Sequence, residues 1–368
     1  MRKSICCIFN LAPHYNAPIY NLMDKELSCD FYLGDRIATS MELMKYESLK
    51  GFKKRLKFIR LLGNFYWQSG AISLAFKPYQ HYIITGEPFC ISSWFILIFN
   101  KLTGRKTYLW THGWYGNEKG VKKIIKKLFF SLSFKIFLYG DYAKKLMIEE
   151  GFKSKKLVTV YNSLDFDNQI IIQQKLKPTS IYQQHFNNNK PVLLYIGRIQ
   201  LRKKIELVIE ALHTLNKNNI LCNLILIGKQ TDETTISELI NKYGLAQNVW
   251  FFGPCYNENV IGELIYNADV CVSPGNVGLT AMHSLIYGTP VITQNNFTTQ
   301  MPEFEAIEIG ITGDFFKEDM VEDLVAAILK WINIDLKQRS ITRERAYSIM
   351  NEKYNPHNQI KIIKQALI

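Results

Sequence analysis

The chain's 368 residues exceed what one hydrophobic core usually serves, and 47% hydrophobic against 21% charged residues exclude an intrinsically disordered polymer. Two globular domains are therefore expected. The net charge of +13 is lopsided: residues 1–176 hold 27 Lys and Arg against 13 Asp and Glu, net +14, while the remainder holds 18 against 19, net −1.

A half this basic is expected to meet something anionic. The seven cysteines are odd in number and form no C-x-x-C pair. Cys6, Cys7, Cys90, Cys222 and Cys271 sit in or beside apolar runs, which argues against a disulfide framework or zinc site and fits a reducing cytoplasm. The first apolar run is too short, and too polar afterwards, for a signal peptide. The run 89–99 falls short of the ~20 residues a spanning helix needs and reads as a buried helix.

In chain order, strands are expected at 4–10, 29–34, 81–86, 106–111, 135–140 and 156–162, with helical patterns between them, one at 141–151 closing on a glycine. The polar stretch 176–189 reads as a linker between a first domain, 1–175, and a second, 190–345. A second series of strands follows at 191–197, 221–228, 248–253, 269–274 and 290–293. Between the first two lies a helix in which Ile205, Val208, Leu212 and Leu215 recur at helical spacing. Residues 346–368 read as closing helices, broken at Pro356, that return to the first domain. Alternating β and α in both halves implies two doubly wound parallel sheets with ligands at the strands' carboxyl ends.

Two basic-apolar stretches stand out in the first half. In 45–67, Lys53, Lys54, Arg55, Lys57 and Arg60 are combined with Phe52, Leu56, Phe58 and Trp67; in 119–135, six lysines accompany Ile124, Ile125, Leu128 and Phe129. Basic faces beside apolar faces suit attachment to an anionic leaflet, and no nucleic-acid module is recognisable.

The most informative segment is 273–293, SPGNVGLTAMHSLIYGTPVIT. It reads as strand, small-residue turn, apolar helix, strand. Gly275 and Gly278 allow close backbone approach, and first-turn amides without intrahelical partners suit an anion such as a sugar nucleotide's diphosphate.

From 193 to 316 the chain resembles the C-terminal domain of GT-B-fold glycosyltransferases, especially retaining family 4. The resemblance is carried in order by LLYIGRIQLRKKIELVIEAL, NLILIGKQ with NVWFFGPC, NADVCVSP with GNVGLTAMHSLIYGTPVI, and EFEAIEIGITGDFF. It implies two Rossmann-like domains facing across a cleft, the second holding a nucleotide sugar and the first an acceptor, with retention and no required metal or other cofactor. Arg198 and Lys203 would neutralise the departing diphosphate. Gly275, Asn276, Val277, Gly278, Leu279, His283 and Glu305 would contact the donor. His112, in WTHGWYG, would touch the transferring sugar or acceptor hydroxyl from an exposed strand end, and His14 and Tyr15 would bind acceptor. The family's two donor-loop carboxylates, eight positions apart, are replaced here by Gly275 and His283. Asp165 and Asp167 form an Asp-x-Asp pair that this fold does not need for a metal.

The expectation is a cytoplasmic glycosyltransferase, peripheral on the inner face of the cytoplasmic membrane. It would act on a glycan acceptor, a lipid-linked bacterial surface-polysaccharide precursor. A sugar-nucleotide epimerase or phosphorylase on the same fold, or a non-catalytic scaffold, stand as alternatives.

Overall fold

The computed structural model describes residues 4–35, 42–231 and 236–368. Residues 1–3, which entered the signal-peptide reading, lie outside it. The chain divides into two compact units, 1–165 with 353–368, and 166–352.

The first unit carries an eight-stranded sheet: β1 Ile5–Phe9, β2 Asp30–Gly34, β3 Phe52–Arg60, β4 Tyr66–Ser69, β5 His81–Thr85, β6 Lys106–Thr111, β7 Lys135–Leu138 and β8 Leu157–Thr159. The order is β4-β3-β2-β1-β5-β6-β7-β8, parallel except for the β3–β4 pair. Strand residues alternate between faces. Cys7 and Phe9 join the core under the helices Ala17–Leu27 and Pro356–Leu367, whereas Cys6 and Ile8 face Ala71–Leu74, Ile91–Leu102 and Gly120–Ser131. Because both faces are covered, the parallel strands read as unbroken apolar runs.

Two sequence readings change here. The basic stretch 45–67 is no amphipathic helix face but the edge hairpin β3–β4, with Lys53, Lys54, Arg55, Lys57 and Arg60 exposed and Leu56 buried. Its alternation is the strand period, and a lysine-rich edge discourages further strand pairing. The helix Ile91–Leu102 is only half buried: Ile96 and Leu97 face the core, while Phe95, Ile98 and Leu102 are exposed.

In the second unit, β9 Val192–Ile196, β10 Asn223–Ile227, β11 Val249–Gly253, β12 Val270–Ser273, β13 Val291–Gln294 and β14 Gly313–Phe316 form a wholly parallel sheet. Its order is β11-β10-β9-β12-β13-β14. Leu193, Leu224, Leu226, Val270 and Val272 meet Val208 and Leu212 of the helix Glu206–Lys217 in one core. Chain order reverses between β9 and β12, so the crevice beyond their carboxyl ends is the ligand position of this topology.

Residues 176–189, read as a linker, hold the helix Ile181–Phe186 and group with the second unit. Buried Tyr182 ties them down by donating its hydroxyl to Leu264 O at 2.7 Å. Of the closing helices, Leu336–Glu352 belongs to the second unit and Pro356–Leu367 to the first. The break between them is local chemistry: Asn355 caps the last helix by accepting from Asn358 N at 2.8 Å, and Pro356 occupies its first turn. All seven cysteines are free, and six are buried.

Candidate functional site

The turn after β12 packs directly on the turn after β9. Gly275 N donates to Lys203 O at 3.1 Å, and Lys203 Nζ donates to Asn276 O at 2.5 Å. A Cβ at residue 275 would meet Arg202 O at 2.4 Å and Lys203 Cα at 2.8 Å, so backbone fills the space of any side chain there. In this arrangement of the two turns only glycine fits at position 275. Gly278 has φ +54° and caps the helix Leu279–Ile286, a conformation that favours glycine.

Buried Gln300 braces this turn. Its Oε1 accepts from Val277 N at 2.9 Å, and its Nε2 donates to Thr293 Oγ1 at 2.9 Å and Gln294 O at 3.0 Å. Thr293 in turn donates to Ser273 O at 2.8 Å. The amides of Gly275 and Val277, expected to face an anion, are thus spent on holding the turn. Those of Asn276 and Gly278 donate to nothing among the described residues and remain available.

Basic groups gather beside these amides. Burial, and behind it the charges of Arg202 and Arg198, push the Lys203 ammonium down to about 8, with Glu303 pulling the other way. The half-buried Arg198 makes no side-chain hydrogen bond or ion pair among the described residues. Lys204, a further candidate cation, is instead committed to Glu318 and Asp319 at 3.0 and 2.6 Å. Its φ of +51° lies in the left-handed region that favours glycine.

Sequence reasoning missed Glu303. It is buried in the turn Pro302–Ala306 and close enough to Lys203 to raise its pKa, whereas Glu305 of the same turn is half-buried. The Pro302–Glu303 pair was the available signal. Also missed was Glu258, to which His283 donates or ion-pairs through Nε2 at 2.8 Å. Nε2 of His283, expected to meet ligand, is therefore taken. The same Glu258 Oε1 accepts from Tyr287 Oη at 2.7 Å and Gln169 Nε2 at 2.8 Å.

In the first unit, order reverses between β1 and β5, and His14 and Tyr15 follow β1. His14 N donates to Glu42 O at 3.0 Å, and the His14 and Tyr15 rings meet edge-on at 5.6 Å. His112, just past β6, is not the exposed imidazole expected. It is half-buried, with ring centroids 4.9 Å from Tyr139 and 6.3 Å from Tyr115. Burial, then the nearby Lys126 charge, lowers its pKa to about 4, so the ring is neutral at pH 7. Its loop is pinned by Glu118, which accepts from Tyr115 N at 2.9 Å, Gly116 N at 3.0 Å and Lys126 Nζ at 2.5 Å.

Two α/β sheets, with cations and free amides at the switch point of the second, define a protein of the doubly wound α/β type. Residues 177–349 match the family described as Glycosyl transferases group 1. Curated relatives include an uncharacterized 41.2 kDa protein in the cps region of Klebsiella pneumoniae, 25% identical over 47% of this chain and 44% of the relative. Another is glycogen synthase 1 of Trichormus variabilis, 31% identical over 36% and 27%. The chain thus aligns with less than half the length of either.

Solved structures match throughout. Anabaena Alr3699/HepE in complex with UDP superposes with a TM-score of 0.75 at 14% identity over 99% of both chains. A glycosyltransferase from Rickettsia africae gives 0.74 at 16% identity, covering 100% of this chain and 99% of that one. The lipopolysaccharide outer core galactosyltransferase WaaB gives 0.69 at 15% identity over 99% and 98%. At these identities the likeness is one of fold, and the fold is GT-B.

Proposed function

We propose that the chain is a glycosyltransferase that moves a sugar from a nucleoside-diphosphate donor to a glycan acceptor, with retention. The observation that carries this is the interlocked pair of turns in the second unit, where Lys203 and unpartnered Arg198 flank the open amides of Asn276 and Gly278. Negative charge grows on a diphosphate as its glycosidic bond breaks. Fixed cations and amides lower the barrier because they need no reorganisation at that moment. Neutral His112 accepts or donates a hydrogen bond to the transferring sugar or acceptor hydroxyl, and His14 and Tyr15 contribute to acceptor binding. Glu303 and Glu305 hold the donor side. No metal or other cofactor is assigned a role.

The acceptor is proposed to be a lipid-linked precursor of a bacterial surface polysaccharide, reached at the inner face of the cytoplasmic membrane. Among the described residues no helix is long and apolar enough to cross a membrane. Exposed Val121, Ile124 and Leu128 stand beside Lys122 and Lys127 on the helix Gly120–Ser131, a face suited to an anionic leaflet. The naming of one structural relative for a lipopolysaccharide core accords with a surface glycan.

The test is release of nucleoside diphosphate from UDP-, GDP- and dTDP-sugars with lipid-linked glycan acceptors present. Acceptor-dependent release is expected, and its absence from every pairing removes the reading. Cosedimentation with phosphatidylglycerol vesicles but not phosphatidylcholine vesicles is expected, weakened in Ile124→Asp.

A further inference from the structure

The placement of Glu258 is not explained by the turn after β12. It opens the helix Glu258–Asn267, just beyond the carboxyl end of β11, with Asn257 capping the helix by accepting from Asn259 N at 3.1 Å. Three donors converge on Oε1 alone: Tyr287 Oη, Gln169 Nε2 and His283 Nε2, all within 2.8 Å. Tyr287 and Gln169 are buried, so the carboxylate is locked in orientation. Oε2 accepts nothing among the described residues, and the side chain keeps 22% of its exposure.

A carboxylate fixed by one oxygen and solvent-accessible at the other can accept from a ligand without reorienting. His283 stands four residues past Leu279, about 6 Å of helical rise from the first turn. Glu258 is therefore one hydrogen bond away from the helix that begins at the phosphate turn. Burial alone would raise its pKa, but the bonds from His283, Gln169 and Tyr287 win and hold it near 2, so Oε2 is ionised at any working pH. Among the described residues no group of three His, Cys, Asp or Glu gathers to hold a metal ion.

Resting on the donor reading above, we infer that Glu258 Oε2 accepts the hydroxyl protons of a vicinal diol on the nucleotide sugar, with His283, Tyr287 and Gln169 as positioning residues. The carboxylate absent from positions 275 and 283 is thereby supplied from the neighbouring helix. The diol belongs either to the ribose or to the transferred hexose, and titration calorimetry separates the two. Glu258→Gln is expected to raise the Kd of UDP about tenfold, the difference between a charged and a neutral acceptor, and to leave inorganic pyrophosphate within about twofold. Wild-type protein should bind 2′,3′-dideoxy-UDP about tenfold more weakly than UDP, with no further loss in Glu258→Gln. A loss confined to UDP-glucose supports the assignment and gives the diol to the hexose.

Affinities for UDP and UDP-glucose that ignore residue 258, or equal losses for UDP and its dideoxy analogue, overturn it while leaving the donor reading intact. Wild-type protein that binds none of UDP, GDP and dTDP overturns both. Tyr287→Phe keeps the carboxylate and removes one donor from Oε1. It should raise the Kd about twofold to threefold and carries the test if Glu258→Gln fails to fold, unchanged affinities again overturning the assignment.

Discussion

Raising the pH from 7 to 9 should weaken diphosphate binding through one residue. Lys203 has its pKa lowered to about 8 by burial and by the neighbouring Arg202 and Arg198 charges. The terminal phosphate of UDP is already ionised above pH 7, and the guanidiniums stay charged. If the protonated ammonium is the binding form, the apparent Kd scales as one plus the ratio of neutral to charged lysine. Between pH 7 and 9 that factor grows about tenfold. Lys203→Arg keeps a cation throughout and should flatten the profile.

Stability should move the other way. The unfolded chain holds this proton up to about pH 10.4, the folded chain only to about 8. Between those values the unfolded state binds more protons, so this group makes the folded state more stable as pH rises. Calorimetric titration of UDP at pH 7, 8 and 9 with parallel melting curves reads both signs. An affinity that is level across the window, or a tenfold fall that persists in Lys203→Arg, refutes the argument.

Other perturbations follow from the same geometry. Arg198→Ala should cut diphosphate release about 100-fold at saturating donor, the scale of a lost oxyanion-type donor; wild-type turnover would remove it from the mechanism. Gly275→Glu, which restores a carboxylate common in related sequences, drives Cβ into Arg202 O and Lys203 Cα. It should cost about 1–3 kcal/mol in urea unfolding and abolish UDP binding, because the Lys203 turn must move. Glu118→Gln removes the charge that pairs with the largely buried Lys126 ammonium and, with one carbonyl oxygen left, deprives one of the two loop amides of its acceptor. Unfolding experiments should show a loss of about 3 kcal/mol or more, and turnover should fall with donor affinity unchanged.

Much of the fold was legible because parallel strands announce themselves. Eleven apolar runs were expected as strands, and each holds one, since strands covered on both faces are dominated by apolar residues. The three that escaped had other signatures. β3 and β4 form a half-exposed edge hairpin whose lysines hid the alternation, and β14 follows a tight glycine turn. The small-residue turn after β12 and the basic turn after β9 were visible from glycines and cations placed at strand ends.

The sequence by itself determined the architecture, the charge asymmetry and the place of the switch-point turns, because these depend on local period and chain order. Tertiary structure alone decided which polar groups are spent and which are open. Gly275 is needed because the backbone of Arg202 and Lys203 lies against it. Lys204 is neutralised by residues more than a hundred positions away, and His283 is held by Glu258 from another helix. A hydrogen bond between distant segments leaves no period in the chain, so only packing reveals that Glu258 engages His283.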